Sequence, residues 1–118
     1  MRIPIAFHAY AVASASTARI EVSPQKILRP VRFEVSPLMA ARFNLKAIRI
    51  GMDQVFPFTT PGGQINCQLF IPRGDKGQDW KIGKIVPGDR FEIAVMNCSP
   101  AYSDFYAVFW CVGEDLHE

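Results

Sequence analysis

Apolar and polar residues alternate along most of this chain, a pattern typical of β-strands with one buried face. Ser-Pro, Pro-Gly-Asp and Thr-Pro-Gly-Gly separate the alternating segments, and these are turn-forming sequences. The spacing predicts a single antiparallel β-sandwich, or a barrel, of eight or nine strands. The predicted strand segments are residues 2–12, 19–22, 32–35, 43–52, 55–58, 64–71, 80–86, 90–96 and 104–113.

Three of these segments carry further information about their faces. In residues 43–52 the alternation changes phase, which predicts a β-bulge near Ala47. Residues 64–71 predict a strand with Ile65, Cys67, Leu69 and Ile71 facing inward. In residues 2–12 the inward set is Ile3, Ile5, Phe7, Ala9 and Ala11.

The segment 104–113 differs from the others because both of its faces are apolar. Phe105, Ala107, Phe109 and Cys111 point one way, and Tyr106, Val108, Trp110 and Val112 point the other. A strand in a two-layer antiparallel protein needs only one apolar face. We therefore expect the second face to be covered, either by the N-terminal segment of the same chain or by another molecule.

The only helix signal lies near residues 37–42, where Ser36 can cap and Pro37 suits the first helical position. We expect one or two turns there at most.

The chain is long enough for one domain with one core. We divide it into an N-terminal strand or extended arm with a small-residue connector (1–17), a β-sandwich domain (18–113) and a polar tail (114–118).

Charge and hydropathy exclude several classes of partner. The 13 basic and 11 acidic residues give a net charge of +2, without the concentrated basic surface that nucleic-acid binding requires. No segment has the ~18 apolar residues of a membrane span, so a membrane is not an expected partner. The short N-terminal apolar region is interrupted by Pro4, His8 and Tyr10, so we expect it to be retained rather than cleaved as a signal peptide.

Nothing in the residue pattern predicts catalysis, a metal or a cofactor. Cys67, Cys98 and Cys111 show no metal-binding spacing, and we expect three buried thiols in a reducing compartment; one disulfide with one free thiol is the alternative. The serines lie in turns or in the small-residue connector, without a neighbouring base. A small enzyme or metal-binding domain therefore ranks last among the functional hypotheses.

Aromatic residues are the main candidates for a binding role. Trp80, Tyr102, Tyr106 and Trp110 suit a protein interface, in which Trp and Tyr are enriched, or a surface that stacks on sugar rings. Core packing is the alternative, and it is the leading explanation for Trp110. The carbohydrate hypothesis requires Trp80, Tyr102 and Trp110 to line one exposed groove.

The order of segments from residue 29 to 113 resembles that of small jelly-roll or β-sandwich auxiliary capsid proteins (cement or decoration proteins) of tailed bacteriophages. The resemblance rests on Arg-Pro-x-Arg-Phe-x-Val, on Phe-x-Leu-x-Ala-Ile-Arg-Ile-Gly, on Pro-Gly-Asp-Arg-Phe-Glu-Ile-x-Val-x-Asn and on a closing aromatic strand that ends at Gly113. It implies a jelly-roll-like fold and a protein that binds the major capsid protein and itself, often as a trimer. It also implies a location on the capsid surface of a virion after synthesis in the host cytoplasm, with no enzymatic activity and no cofactor.

The leading hypothesis is therefore a non-enzymatic virion structural protein, and the alternative is a carbohydrate- or receptor-binding β-sandwich module with a glycan partner. An alternating apolar arm could also add as a strand to the sheet of a neighbouring subunit. The predicted interface residues are Ile3, Ile5, Phe7, Tyr10, Trp80, Tyr102, Tyr106, Val108 and Trp110.

Overall fold

Two antiparallel sheets form a β-sandwich, which confirms the predicted all-β fold class. The computed structural model describes residues 2–56, 64–71 and 83–113. Within them lie eight strands: β1 (Arg2–Val12), β2 (Thr17–Val22), β3 (Leu28–Val35), β4 (Phe43–Ile50), β5 (Asp53–Phe56), β6 (Ile65–Asn66), β7 (Phe91–Asn97) and β8 (Ser103–Gly113).

The strands pair in a nested order. The first strand pairs with the last, β1 with β8, and the second pairs with the one before last, β2 with β7. The last two strands also pair with β3 and β4, so the sheets read β1-β8-β3 and β2-β7-β4-β5, with β6 beside β4. A bridge between Leu28 and Ile85 extends the first sheet beyond β3. This nesting is the jelly-roll-like order that the sequence predicts.

The core lies between the sheets and is rich in phenylalanine. The rings of Phe7 and Phe91, from opposite sheets, meet edge to face with centroids 5.3 Å apart. Phe43 and Phe105 make a second contact across the layers, at 4.9 Å. Such offset aromatic pairs add to the free energy gained by burying the rings. The inward set of β8 predicted from the sequence is buried in this core: Phe105, Ala107, Phe109 and Cys111.

The predicted bulge near Ala47 is present, because the register between β4 and β7 shifts between Leu45 and Ala47. A second bulge, in β1, was not predicted. The register between β1 and β8 shifts between Ala9 and Val12, so that Val12 turns into the core and Ala11 faces solvent. The inward set predicted for residues 2–12 is therefore wrong at its last member.

Residues 64–71 do not form the predicted strand. Only Ile65 and Asn66 pair, and a 3-10 turn then covers Cys67–Phe70. The side chain of Asn66 accepts a hydrogen bond from the backbone N–H of Gln68 and starts the turn. Cys67 is consequently buried, whereas Leu69 is 62% exposed instead of facing inward.

The helix signal near 37–42 gives a 3-10 turn at Ala40–Arg42 that follows a turn over residues 37–39. The backbone N–H groups of Met39 and Ala40 both donate to the carbonyl oxygen of Ser36.

Of the weak strand predicted at 80–86, residues 80–82 lie outside the described residues, and Ile85 forms the bridge to Leu28.

Candidate interaction surfaces

The outer face of the sheet β1-β8-β3 has an aromatic and aliphatic centre. Tyr106, Val108 and Trp110 lie on the outward side of β8, the middle strand, and each is half-buried. Their predicted orientation is therefore confirmed. The segment 2–12 does not lie across these side chains, because it forms β1 beside β8 in the same sheet.

Side chains from the flanking strands reach this face from both sides. His8 of β1 is opposite Tyr106, and the two rings meet edge to face at 76° with centroids 4.9 Å apart. On the other flank the indole Nε1–H of Trp110 donates to Oε1 of Glu34 at 2.9 Å. These contacts fix the aromatic rings in place while leaving part of each in solvent.

A shallow groove of about 160 Å³ runs between β8 and β3 on this face. It is lined by Glu34, Val35, Ser36, Tyr106, Ala107, Val108 and Trp110. Tyr106 and Trp110 are four residues apart on one strand, which corresponds to about 13 Å. The groove therefore combines two aromatic rings with one carboxylate.

The remaining predicted interface residues fall in three places. Phe7 is fully buried in the core, and Ile3 and Ile5 are half-buried on the same side of β1, so these three serve the sandwich itself. Tyr10 and Tyr102 are 71% and 72% exposed. Trp80 lies outside the described residues.

Tyr102 and Trp110 cannot line one groove in the way that the carbohydrate hypothesis assumed. They are separated by eight residues, about 26 Å along an extended strand. Tyr102 precedes β8 in the loop from β7, whereas Trp110 lies near the far end of β8.

Tyr102 belongs to a second surface, at the end of the sandwich where three connections between the sheets lie side by side. We call it the connector end and define it by residues 13–16, 36–42 and 98–102, together with the 3-10 turn Cys67–Phe70. Hydrogen bonds link each connection to the next: Ser14 Oγ donates to the carbonyl of Ser99, the Cys98 N–H donates to the carbonyl of Arg42, and Asn66 Nδ2 donates to the carbonyl of Ala41.

The connector end exposes large apolar side chains and carries few charges. Leu38, Leu69 and Tyr102 are 84%, 62% and 72% exposed. Tyr10 belongs to the outer face of the sheet β1-β8-β3 instead, because its ring packs on His8 with centroids 4.6 Å apart. In residues 10–17, 35–44, 64–71 and 97–104, which build this end, the only charged side chains are Arg42 and Asp104. Sequence reasoning identified Tyr102 but missed the two leucines, because only the topology brings their segments together.

The opposite end of the sandwich is charged. A cleft of about 550 Å³ opens beside the β4–β5 turn. It is lined by Glu21, Arg49, Gly51, Met52, Gly88, Asp89, Arg90 and Glu92. Acidic and basic side chains alternate around it, and Arg19 pairs with Glu92 at 3.8 Å nearby. The two ends of the molecule therefore differ in polarity.

The His, Cys, Asp and Glu side chains in the part of the chain that the structure describes are dispersed. No three His, Cys, Asp or Glu side chains within it are grouped so that they could hold a metal ion. Cys67 and Cys111 are buried, but Cys98 is exposed, which corrects the expectation of three buried thiols; all three are free. Burial raises the pKa of Cys67 and of Cys111 to about 12, so neither is an activated nucleophile.

Comparison with known proteins adds no relative to this description. Neither a scan of protein-family models nor searches of curated proteins and of solved structures found a match to the chain. Among the described residues, no helix has the length and apolar character that crossing a membrane requires.

Proposed function

We propose that this protein is a non-enzymatic structural component of a virion, of the capsid cement or decoration type, that binds capsid subunits. The observation that carries the proposal is the outer face of β8, where Tyr106, Val108 and Trp110 form an apolar strip that the flanking strands border without covering. Interfaces are enriched in Tyr and Trp and depleted of charge at their centres.

The fold supports the same proposal. Jelly rolls occur in viral capsid proteins, although they also occur in lectins and cupins, so the fold alone does not decide between these functions. The resemblance of residues 29–113 to phage auxiliary capsid proteins favours the viral alternative.

The rigidity of the strip also suits a binding surface. The indole of Trp110 is held by Glu34, and the ring of Tyr106 is held by His8. Rings that are already fixed lose little conformational entropy when a partner covers them. We therefore infer that the capsid-binding surface is centred on Val108, between the two aromatic rings.

Co-sedimentation with empty capsids of the virus that encodes the chain tests this proposal. We expect the protein to pellet with capsids and Val108→Glu to weaken the binding at least about 100-fold, because a second carboxylate directly opposite Glu34 has no counter-charge in an apolar contact. Met96→Glu is the matched control, since Met96 is half-buried on the outer face of the other sheet. Absence of capsid binding, or equal losses in both variants, would contradict the proposal.

A carbohydrate-binding module is the second candidate, and the groove beside Trp110 favours it. Aromatic faces can stack on sugar rings, and the Glu34 carboxylate can accept hydrogen bonds from hydroxyl groups. A glycan that quenches tryptophan fluorescence in the unmodified protein but not in Trp110→Ala would favour this candidate over capsid binding.

A further inference from the structure

We propose that the groove between β8 and β3 receives an arginine side chain of the protein that covers the outward strip Tyr106, Val108 and Trp110, which we call the β8 face. The proposal rests on the function proposed above and deepens it, because it specifies the chemical group of the partner that this face recognises. Its basis is the size of the groove, the Glu34 carboxylate at its edge and the two aromatic rings that line it.

The size of the groove suits one side chain. Its volume of about 160 Å³ is roughly half the lower limit of small-molecule pockets, which measure ~300–1,000 Å³. At ~30 Å³ for each water molecule, the groove holds about five waters, and a long side chain has a similar number of non-hydrogen atoms. A protein partner can therefore fill it with a single side chain.

The Glu34 carboxylate decides the charge of that side chain. Glu34 is opposite Val108 in the register of β3 and β8, and it is half-buried before any partner binds. Its Oε1 accepts a hydrogen bond from Trp110 Nε1–H at 2.9 Å. Among the residues that the structure describes, no Lys, Arg or His side chain forms an ion pair with Glu34.

A partner that covers the β8 face removes the remaining water from Glu34. This loss of hydration is costly for a charged group unless a cation or several donors replace the water. A carboxylate has about four acceptor sites, and the Trp110 indole occupies one of them. Arg32, two residues along the same side of β3, interacts with other groups. Positive charge from the partner is therefore the fitting complement of Glu34.

Arginine suits the surroundings of Glu34 better than lysine does. A planar guanidinium can stack on an aromatic ring while it donates two parallel hydrogen bonds to a carboxylate. The aliphatic part of the side chain would lie against Val108 and against the backbone of Val35 and Ala107, whose side chains are buried in the core. Arginine is also enriched at protein interfaces, whereas lysine is depleted from them.

Titration with a capped arginine, N-acetyl-arginine N-methylamide, tests the groove directly. The reporter is the indole N–H signal of Trp110 in a ¹H–¹⁵N spectrum, which Trp110→Phe distinguishes from that of Trp80, the other tryptophan. We expect this signal to shift with a millimolar Kd, because the probe lacks the rest of an interface. The capped citrulline, which has nearly the same shape without the charge, should cause no shift at the same concentration and ionic strength.

Glu34→Gln removes the charge but keeps an oxygen that can accept from the Trp110 indole. We expect this variant to bind the capped arginine at least about 10-fold more weakly, because a charge-assisted hydrogen bond becomes a neutral one. Glu21→Gln is the matched control, since Glu21 is exposed on the other sheet and the same loss of charge there should leave binding unchanged. An indole signal of Trp110 near its original position shows that Glu34→Gln remains folded.

The capsid assay separates this proposal from the function on which it rests. Glu34→Gln should weaken capsid binding at least about 10-fold, and Glu21→Gln should not. Val108→Glu still weakens binding if an arginine is inserted, because one guanidinium neutralises only one of the two carboxylates. Capsid binding that depends on Val108 but not on Glu34 would overturn the arginine proposal and leave the proposed function intact.

The opposite result is also informative. Arginine binding that depends on Glu34, in a protein that does not pellet with capsids, would support the arginine groove and contradict the proposed function. No shift of the Trp110 signal up to the solubility limit of the capped arginine, or an equal shift with the capped citrulline, would overturn the arginine proposal.

Discussion

At the scale of single residues, Asn97 holds two connections together from inside the protein. Its side chain is fully buried. Nδ2 donates to the carbonyls of Val12 and Ala101, both at 2.8 Å, and Oδ1 accepts from the N–H and the hydroxyl of Ser99. All the hydrogen-bonding capacity of the amide is used. The residue thus links the end of β1 to the loop between β7 and β8.

We expect Asn97→Ala to lower the free energy of unfolding by about 3 kcal/mol, because it leaves buried carbonyl and N–H groups without partners. Asn97→Asp should cost a similar amount, since a carboxylate cannot donate to the two carbonyls. Urea denaturation followed by fluorescence measures both. Gln25→Ala is the control, because Gln25 is exposed and makes only a local hydrogen bond. A loss below about 1 kcal/mol for Asn97→Ala would contradict this role.

At the scale of elements, backbone hydrogen bonds shape the small-residue connector at 13–16. Ser16 N–H donates to the carbonyl of Ala13, and Ala15 N–H donates to the carbonyl of Asn97 at 2.8 Å. Ala15 has a φ of +62°, in the left-handed region, which costs a residue with a Cβ roughly 1 kcal/mol. The hydrogen bonds of the connector maintain this strained conformation.

Ala15→Gly should therefore raise the free energy of unfolding by about 0.5 kcal/mol, because relief of the strain exceeds the added entropy of glycine in the unfolded chain. The backbone hydrogen bond to Asn97 is kept. Ala6→Gly is the matched control: Ala6 is an exposed alanine in the regular part of β1, and the change there should destabilise by about 0.5–1 kcal/mol. Thermal unfolding of the two variants should give shifts of opposite sign, and shifts of the same sign would show that Ala15 is unstrained.

The elements also show how far the sequence can be interpreted. Alternation correctly identifies which side chains of β8 face the core, because the period of two follows from strand geometry itself. It fails at residues 64–71, where apolar residues alternate as in a strand but are also compatible with a short turn. Here the side chain of Asn66 caps the turn, and residues 67–70 therefore form a 3-10 turn instead of a strand. Alternation also cannot identify the partner of a strand, so β1 was equally consistent with an exchanged arm.

The two surfaces were predictable to different degrees. The β8 face is contained in one continuous segment, so its apolar character is visible in the sequence. The connector end draws Leu38, Leu69 and Tyr102 from three separate segments. Leu38 and Leu69 each look like core residues in their own segment. Only the pairing of β4 with both β6 and β7 brings them to one end.

At the scale of the whole molecule, two buried thiols make the free energy of unfolding depend on pH in the alkaline range. Burial raises the pKa of Cys111, in β8, from 9.0 to about 12. For Cys67, in the 3-10 turn beside β6, burial and secondarily the Cys98 thiol raise the pKa to about 12. Between pH 9 and about pH 12 the unfolded chain binds fewer protons than the folded one, so the free energy of unfolding falls as pH rises. Below pH 9 the contribution of the thiols is fully present.

We expect the free energy of unfolding to fall by about 2 kcal/mol between pH 9 and pH 10, since each thiol contributes up to about 1.4 kcal/mol per pH unit. Urea midpoints at pH 8, 9 and 10 measure this loss. The double variant Cys67→Ala/Cys111→Ala controls for tyrosine and lysine titration and should lose less stability over the same range. If the two proteins lose stability in parallel, the thiols are not the cause.

The nested order of the strands also has a consequence for how the protein is made. β7 and β8 lie in the middle of the two sheets, yet they follow the other six strands in the chain. A ribosome releases β1, β2 and β3 first, and the strands with which they pair, β7 and β8, are translated last. The first sheet therefore cannot form before β8 has left the ribosome, and the second sheet lacks the strand that joins β2 to β4 until β7 has left it. An interrupted chain would have no sandwich, so only fully translated molecules could present either surface to a partner.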